Sequence, residues 1–526
     1  MNIVNKLLLM AKRNENKIII LILFLLSFFS FLYYFQDYKH LPYADSLSRL
    51  NIARKIVDNI NPGLAQIGNV WLPLPQLLML PFIWNDYLWH SGIAGYIMSG
   101  SMYILGGYFV FKSAKRISKS SIGAICSLGI FALNINLLYL QTTAMSESIF
   151  LCSLAATIYF FLLWFENKKT SYLILAALSV SAMTLIRYEG LALLLPSIPM
   201  VFIYSYIQDR KYHNAEGVIW LYSMLACLGF SLWTLYLTAI FGDPLYWKNY
   251  YATPQATGGA VAAYTQAKPF IAALWQYFTS FIWMIGIIPT LFAGLGTVIM
   301  IIMSVKKRSW IFMPLLLPLS IFLFMVLTLQ RNTPIVQPDL TWTNILNPQT
   351  SHGTGFNIRY GLLLLPWVAI MSSYIFRFRI RALNVLLFML MLVQFHTYWS
   401  PDYTVMYKIP DRIAPKPYTN FTSWIQKNHD GGKILISAGS MEDQMFQTGF
   451  NYSTFIHEGA GKYWTESLDN PSRYAKWVVI DYGNNTDTLA KKMNRVDILE
   501  REYQLVYEER QLKVFKKISD PYFVLK

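Results

Sequence analysis

Mostly apolar stretches of about 17 to 25 residues recur along the whole chain, and they limit its fold more than any other feature. They fall at about 18–36, 91–111, 121–138, 147–165, 171–187, 190–207, 217–241, 284–304, 310–329, 360–376 and 382–398. A hydrocarbon core of about 30 Å is crossed by about 20 helical residues. Inside it a helix satisfies every backbone N–H and C=O within its own segment. The eleven stretches therefore predict a polytopic α-helical membrane protein.

Composition agrees. Of 526 residues, 55% are hydrophobic and 14% charged, against roughly a quarter charged in a soluble chain. Aromatics make up 16%, which suits a protein with two water–lipid interfaces to line. The net charge of +16 is placed for topology rather than for nucleic acid. Basic clusters sit between spans: Lys112, Lys115, Arg116 and Lys119; Lys168 and Lys169; Arg210 and Lys211; Lys306, Lys307 and Arg308; Arg377, Arg379 and Arg381. With Lys6, Lys12, Arg13 and Lys17 at a cytoplasmic N-terminus, every second connection should be cytoplasmic, and those connections are these five clusters. The alternate connections, 37–90, 139–146, the turn at Arg187, 242–283 and 330–359, then lie outside. The expected location is a plasma (inner or cytoplasmic) membrane of a cell envelope.

Cys126, Cys152 and Cys227 all fall within apolar spans, so no structural disulfide is expected. The first span lacks a small-residue cleavage site before Asp37 and reads as an uncleaved helix. Residues 1–399 are taken as the transmembrane module, with interfacial helices in the outer loop 37–90. Residues 400–526 differ: short apolar runs at 433–437, 477–481, 504–508 and 512–516 read as strands, with helices near 421–428 and 489–493. A soluble, extracytoplasmic C-terminal α/β domain is predicted.

The outer connections carry the candidate chemistry. In 37–90, Leu47, Leu50, Val57 and Ile60 recur at helical spacing among polar residues, predicting an amphipathic helix along the membrane surface. Trp71, Trp84 and Trp89 are expected at headgroup level. Asp45 opens that helix. It suits an N-cap, an i,i+4 partner for Arg49, or a general base held at the interface. Glu147 opens a span, where negative charge meets a helix N-terminus. Arg187 and Glu189 share the turn before Gly190, as a local ion pair or as site residues. Arg359 and Tyr360 open another span, where an arginine also suits snorkelling to headgroups. The run Gly242 to Tyr251, with Tyr246 and Trp247, is rich in the aromatics and amides that hold sugars and equally suits an interfacial belt. The long stretch 330–356 contains His352, which reads as a surface residue. No metal-ligand cluster is evident, and dependence on a divalent metal is left open.

In order and outer placement these motifs resemble the GT-C glycosyltransferases, membrane enzymes that use polyprenyl- or dolichyl-phosphate sugars, and within them the protein mannosyltransferase and aminoarabinose transferase branch. The carriers are Asp45 with the following helix, Trp71 to Pro75, Ser146-Glu147, Leu185 to Gly190, Gly242 to Tyr246, and Arg359-Tyr360 before Pro366. The resemblance covers roughly 18–398, and more loosely the C-terminal domain. It implies a hexosyl- or pentosyltransferase that moves a sugar, usually with inversion, from a polyprenyl-phosphate donor to a lipid, glycan or protein acceptor. It implies Asp45 as catalytic base, Glu147 as second carboxylate, Arg359 and then Arg187 at the donor phosphate, and Arg49, Tyr246, Trp247 and Tyr360 at the substrates. The mannosyltransferases carry Glu directly after the catalytic Asp, whereas this chain has Ser46, so acceptor and helper carboxylate stay open. Three rivals stand beside this one. A multi-span transporter or flippase of a lipid-linked or small polar substrate would place charges near mid-membrane. A polymer-binding or assembly protein would rest on the C-terminal domain alone. An oligosaccharyltransferase of the same fold would carry a Trp-Trp-Asp motif in that domain, which the sequence lacks.

Overall fold

The computed structural model describes residues 14–36, 40–41, 44–68, 70–251, 269–331, 358–378, 380–398, 419–484, 486–493 and 496–518. His352 and residues 332–357 around it lie outside the described residues. The chain divides into two compact units. One comprises Met1–His40, Leu72–Pro75 and Gly95–Ile413; the other comprises Leu41–Trp71, Gln76–Ala94 and Ala414–Lys526.

The first unit is helical. Among the described residues eight helices are long and apolar enough to cross a membrane, by length and composition. They are Glu15–Phe35, Ile93–Ser118, Glu147–Asn167, Glu189–Asp209, Tyr212–Phe241, Ile287–Lys306, Phe312–Gln330 and Ile358–Phe378. Three further predicted spans form shorter apolar helices, Ser121–Ala132, Thr170–Thr184 and Arg381–Thr397. The stretch read as one span over 121–138 breaks at Asn134. Its side chain accepts from the Asn136 and Leu137 N–H groups, capping a separate short helix Ile135–Leu140, and its amide donates to the Met284 carbonyl at 2.8 Å.

One apolar helix, Phe270–Ile285, fills the end of the stretch expected as the connection 242–283. Gly286, at φ 102°, joins it to Ile287–Lys306. The two helices run in series alongside Ile358–Phe378. Tyr277 donates to the Tyr360 carbonyl at 3.1 Å, and further along Ser372 donates to the Pro289 carbonyl at 3.0 Å. The approach is tightest at Gly361, where an added Cβ would stand 2.4 Å from the Ser280 carbonyl oxygen. That closeness fixes the position of neighbouring Arg359.

Charges mark both ends of the bundle. At one end Lys115 pairs with Glu15, Arg116 with Glu166, and Arg377 donates to the Ile117 carbonyl. These residues flank connections that the charge pattern assigns to a single face. Connections assigned to the opposite face meet in a second cluster, described below.

The second unit holds a five-stranded sheet of order β2-β1-β3-β5-β4. The strands are β1 Ile434–Ile436, β2 Phe455–Ile456, β3 Trp477–Asp481, β4 Tyr503–Glu509 and β5 Leu512–Lys517. β1 pairs in parallel with β2 and β3, while β5 pairs antiparallel with β3 and β4. Leu435, Ile456, Val478, Ile480, Leu489 and Leu499 form its core. The four predicted strands and both predicted helices are present; the two-residue β2 is additional.

The helix Ala44–Val57 belongs to this unit and differs from the expected surface helix. Asn51 and Arg54, on its polar side, are buried, because residues 83–90 and 442–453 engage that side. Trp89 is likewise fully buried rather than interfacial. Its Nε1 donates to Asn51 Oδ1 at 3.3 Å, and its ring lies near Phe446 and Tyr452. Trp84 remains 67% exposed.

Candidate active site

Three separate connections of the helical unit bring their charged residues to one point. Glu147 is the first residue of the helix Glu147–Asn167, and Glu189 the first of Glu189–Asp209. Both carboxylates thus stand at helix N-termini, where unsatisfied N–H groups and the helix dipole favour negative charge. Arg187 sits in the turn between Thr184 and Glu189. Its N–H bonds the Met183 carbonyl, and Gly190 allows the return: a Cβ there would lie 2.6 Å from the Met183 carbonyl carbon. The 3-10 turn Ile358–Leu362 supplies Arg359 and Tyr360.

The guanidinium of Arg187 is the hub. Nη1 donates to Glu147 Oε1 at 3.1 Å and to Ser146 Oγ at 3.3 Å, and Nη2 donates to Glu189 Oε1 at 2.8 Å. Arg359 Nε lies 3.1 Å from the same Glu147 oxygen. Both guanidinium groups lie against the Tyr360 ring, at 4.4 Å for Arg187 and 5.5 Å for Arg359. A cation over an aromatic face gains further attraction where water is excluded. Glu147 is 1% exposed, Arg187 7%, Arg359 6% and Glu189 11%. Two carboxylates and two guanidiniums balance, which is what permits charges this buried. Among the described residues Glu147 Oε2 has no hydrogen-bond partner.

This gathering joins Glu147, Arg187, Arg359 and Tyr360, all proposed from sequence. It also includes Glu189, Ser146 and the Tyr277 hydroxyl on the Tyr360 carbonyl. Of these Ser146 was legible beside Glu147, and Glu189, two residues from Arg187, as a local ion pair or a site residue. Trp247 joins the periphery, stacked on Tyr188 at 4.3 Å. Tyr246 stacks instead on Phe241 at 4.6 Å, behind a turn in which Asp243 Oδ1 accepts from the Leu245 N–H.

Asp45 and Arg49 belong to the other unit. Asp45 is half-buried in the first turn of Ala44–Val57, one residue inside the helix rather than at its N-cap. Arg49 lays its guanidinium over Trp71 at 4.5 Å. Among the described residues no three His, Cys, Asp or Glu side chains gather in a metal-holding group.

Comparison with known proteins adds a partial family match. No curated protein matches the chain. A solved oligosaccharyltransferase from Archaeoglobus fulgidus, in complex with Zn and sulfate, is similar at 10% identity and a TM-score of 0.49, over 88% of this chain and 67% of that one. The profile of the dolichyl-phosphate-mannose-protein mannosyltransferase family matches residues 88–235, a span that contains Glu147, Arg187 and Glu189. Over those residues, and not over the whole chain, the sequence is thus similar to the dolichyl-phosphate-mannose-protein mannosyltransferase family.

Proposed function

We propose that the protein transfers a sugar from a polyprenyl-phosphate donor to an acceptor at the outer face of the plasma membrane, with inversion at the anomeric carbon. The observation that carries this is the buried cluster of Arg187 and Arg359 around Glu147, assembled from three connections that the charge pattern assigns to one side. A lipid phosphate leaves without needing a proton, so the enzyme must supply positive charge to the departing oxygen. Arg359 is assigned that contact. Arg187 has both Nη groups on carboxylates and stands second.

Asp45 is assigned as base. It takes the acceptor proton as the acceptor oxygen or nitrogen bonds the anomeric carbon, while the bond from that carbon to the phosphate oxygen breaks on the opposite face. Glu147, closed in by two guanidiniums, serves by fixing them in place. Trp247, stacked beside the cluster, is the candidate sugar-stacking ring.

The test is Asp45→Asn in membranes given a panel of radiolabelled polyprenyl-phosphate hexoses and pentoses. Loss of transfer at unchanged expression is expected. Transfer at the parent rate would remove Asp45 from the mechanism. The same panel separates a transporter, which would move label across the membrane without forming a new glycosidic product.

A further inference from the structure

We propose that Arg54 and Asp58 are positioning residues: they clamp the helix Ala44–Val57 onto the C-terminal sheet domain, so that this domain sets where Asp45 stands. The inference rests on the assignment of Asp45 as base and gives the C-terminal domain a part in the reaction.

The clamp is specific in its geometry. Arg54 is 5% exposed, yet its guanidinium is met on every side. Nε donates to Asp58 Oδ2 at 3.0 Å. Nη1 donates to the Ile83 and Trp84 carbonyls at 3.0 and 3.1 Å. Nη2 donates to Asp86 Oδ1 at 2.6 Å and Asn451 Oδ1 at 3.2 Å. The Trp89 ring lies 4.7 Å from its carbon. Asp58 in turn accepts from the backbone N–H groups of Tyr452 and Ser453 at 2.8 and 3.2 Å. Those two residues lead directly into β2, which is parallel to β1. The helix end is therefore registered against the sheet by backbone groups, through charge-assisted bonds that a sliding apolar contact would not provide.

The seam extends both ways from this point. Glu442 accepts from Ser48 at 2.7 Å and from Lys55 at 3.1 Å. Beyond the helix, Asn61 donates to the Ala460 carbonyl at 2.7 Å and Gln66 to the Gly459 carbonyl at 2.9 Å. Each of these anchors lies C-terminal to Asp45. Nine residues separate Asp45 from Arg54, about 13 Å of helix. A tilt of about 5° at the clamp thus moves Asp45 by about 1 Å, a misplacement that can cost about 10²-fold in rate.

The experiment compares Asp58→Asn, Arg54→Lys and Asp45→Asn in the full chain, reconstituted in phospholipid nanodiscs. It reads amide exchange over residues 44–57 together with kcat and donor KM on the polyprenyl-phosphate sugar panel. Asp58→Asn should speed exchange in that helix and lower kcat about 10²-fold while donor KM stays within about threefold. Arg54→Lys, which keeps charge but loses the fork, should fall between parent and Asp58→Asn. Unchanged exchange would refute the clamp, and faster exchange with unchanged kcat would refute its role in positioning. Should Asp58→Asn fail to fold, Glu442→Gln, at the half-buried rim of the seam, should show both effects at smaller size. Asp45→Asn keeps the two ideas apart. Full transfer in that variant overturns the base assignment, while the exchange rates decide the clamp on their own.

Discussion

Replacing Glu147 by Gln removes one charge from a buried, balanced set and almost no volume. In the parent, one Glu147 oxygen stands 3.1 Å from both Arg187 Nη1 and Arg359 Nε, at 1% side-chain exposure. After Glu147→Gln, Glu189 is the carboxylate that remains in the described cluster. Taking one partner from a buried ion pair costs about 3–5 kcal/mol, chiefly because the remaining charge stays desolvated without compensation. For a cooperative unit of several hundred residues this is on the order of 5 °C in melting temperature. The assay is thermal unfolding in one detergent, read by intrinsic tryptophan fluorescence. Glu147→Gln/Arg359→Gln restores neutrality and should recover about 1–3 kcal/mol of the loss, the coupling expected between contacting residues. Glu147→Gln/Glu189→Gln removes both carboxylates of the described cluster and should melt lowest. The reasoning fails if the single variant melts within about 1 °C of the parent, or if the neutral double variant is no more stable than the single one.

Two further outcomes are expected. His457 is 2% exposed in the sheet-containing unit, and burial with nearby Lys55 pushes its pKa down from the ordinary 6.5 to about 3. Between those values the unfolded chain binds the extra proton, so stability is full above pH 6.5 and falls by up to about 1.4 kcal/mol per pH unit as pH drops toward 3. His457→Gln should flatten that slope in an unfolding titration. Gly361→Ala would set a Cβ 2.4 Å from the Ser280 carbonyl oxygen and should cost about 1–3 kcal/mol while displacing Arg359. Its melting temperature and transfer rate should both fall, whereas Gly217→Ala, with open space around it, should leave the melting temperature unchanged or slightly higher.

What was legible follows from where physical chemistry leaves a mark in one dimension. A long apolar run fixes a helix without knowledge of its neighbours, so every predicted span has a helix in it. Local competition is harder to read. Asn134 interrupts an apolar run by capping, and Phe270–Ile285 reads as part of a connection because it is short and follows a polar stretch. Apart from the Arg187–Glu189 pair, the charged site was legible as positions and not as pairs. Glu147, Arg187 and Arg359 stand at span ends in the sequence, but that one carboxylate oxygen serves both arginines depends on two close backbone approaches, at Gly190 and Gly361.

The C-terminal boundary illustrates the deeper limit. Residues 44–57 carry a helical apolar pattern with polar residues between, and water is the simplest partner for such a polar side. Here protein takes that place: Arg54 is enclosed by groups from residues 58, 83–89 and 451, drawn from segments hundreds of positions apart. An arginine in a polar stripe looks the same in sequence whether it faces solvent or a buried seam. The distinction lies in Asp58 and Asp86, which together carry more negative charge than Arg54 alone offsets. Backbone N–H groups at 452 and 453 complete the coordination of Asp58. A stretch read as a loop of the membrane module is thereby part of the same compact unit as the sheet. A residue chosen for its place in an outer loop, Asp45, has its helix held by the far end of the chain.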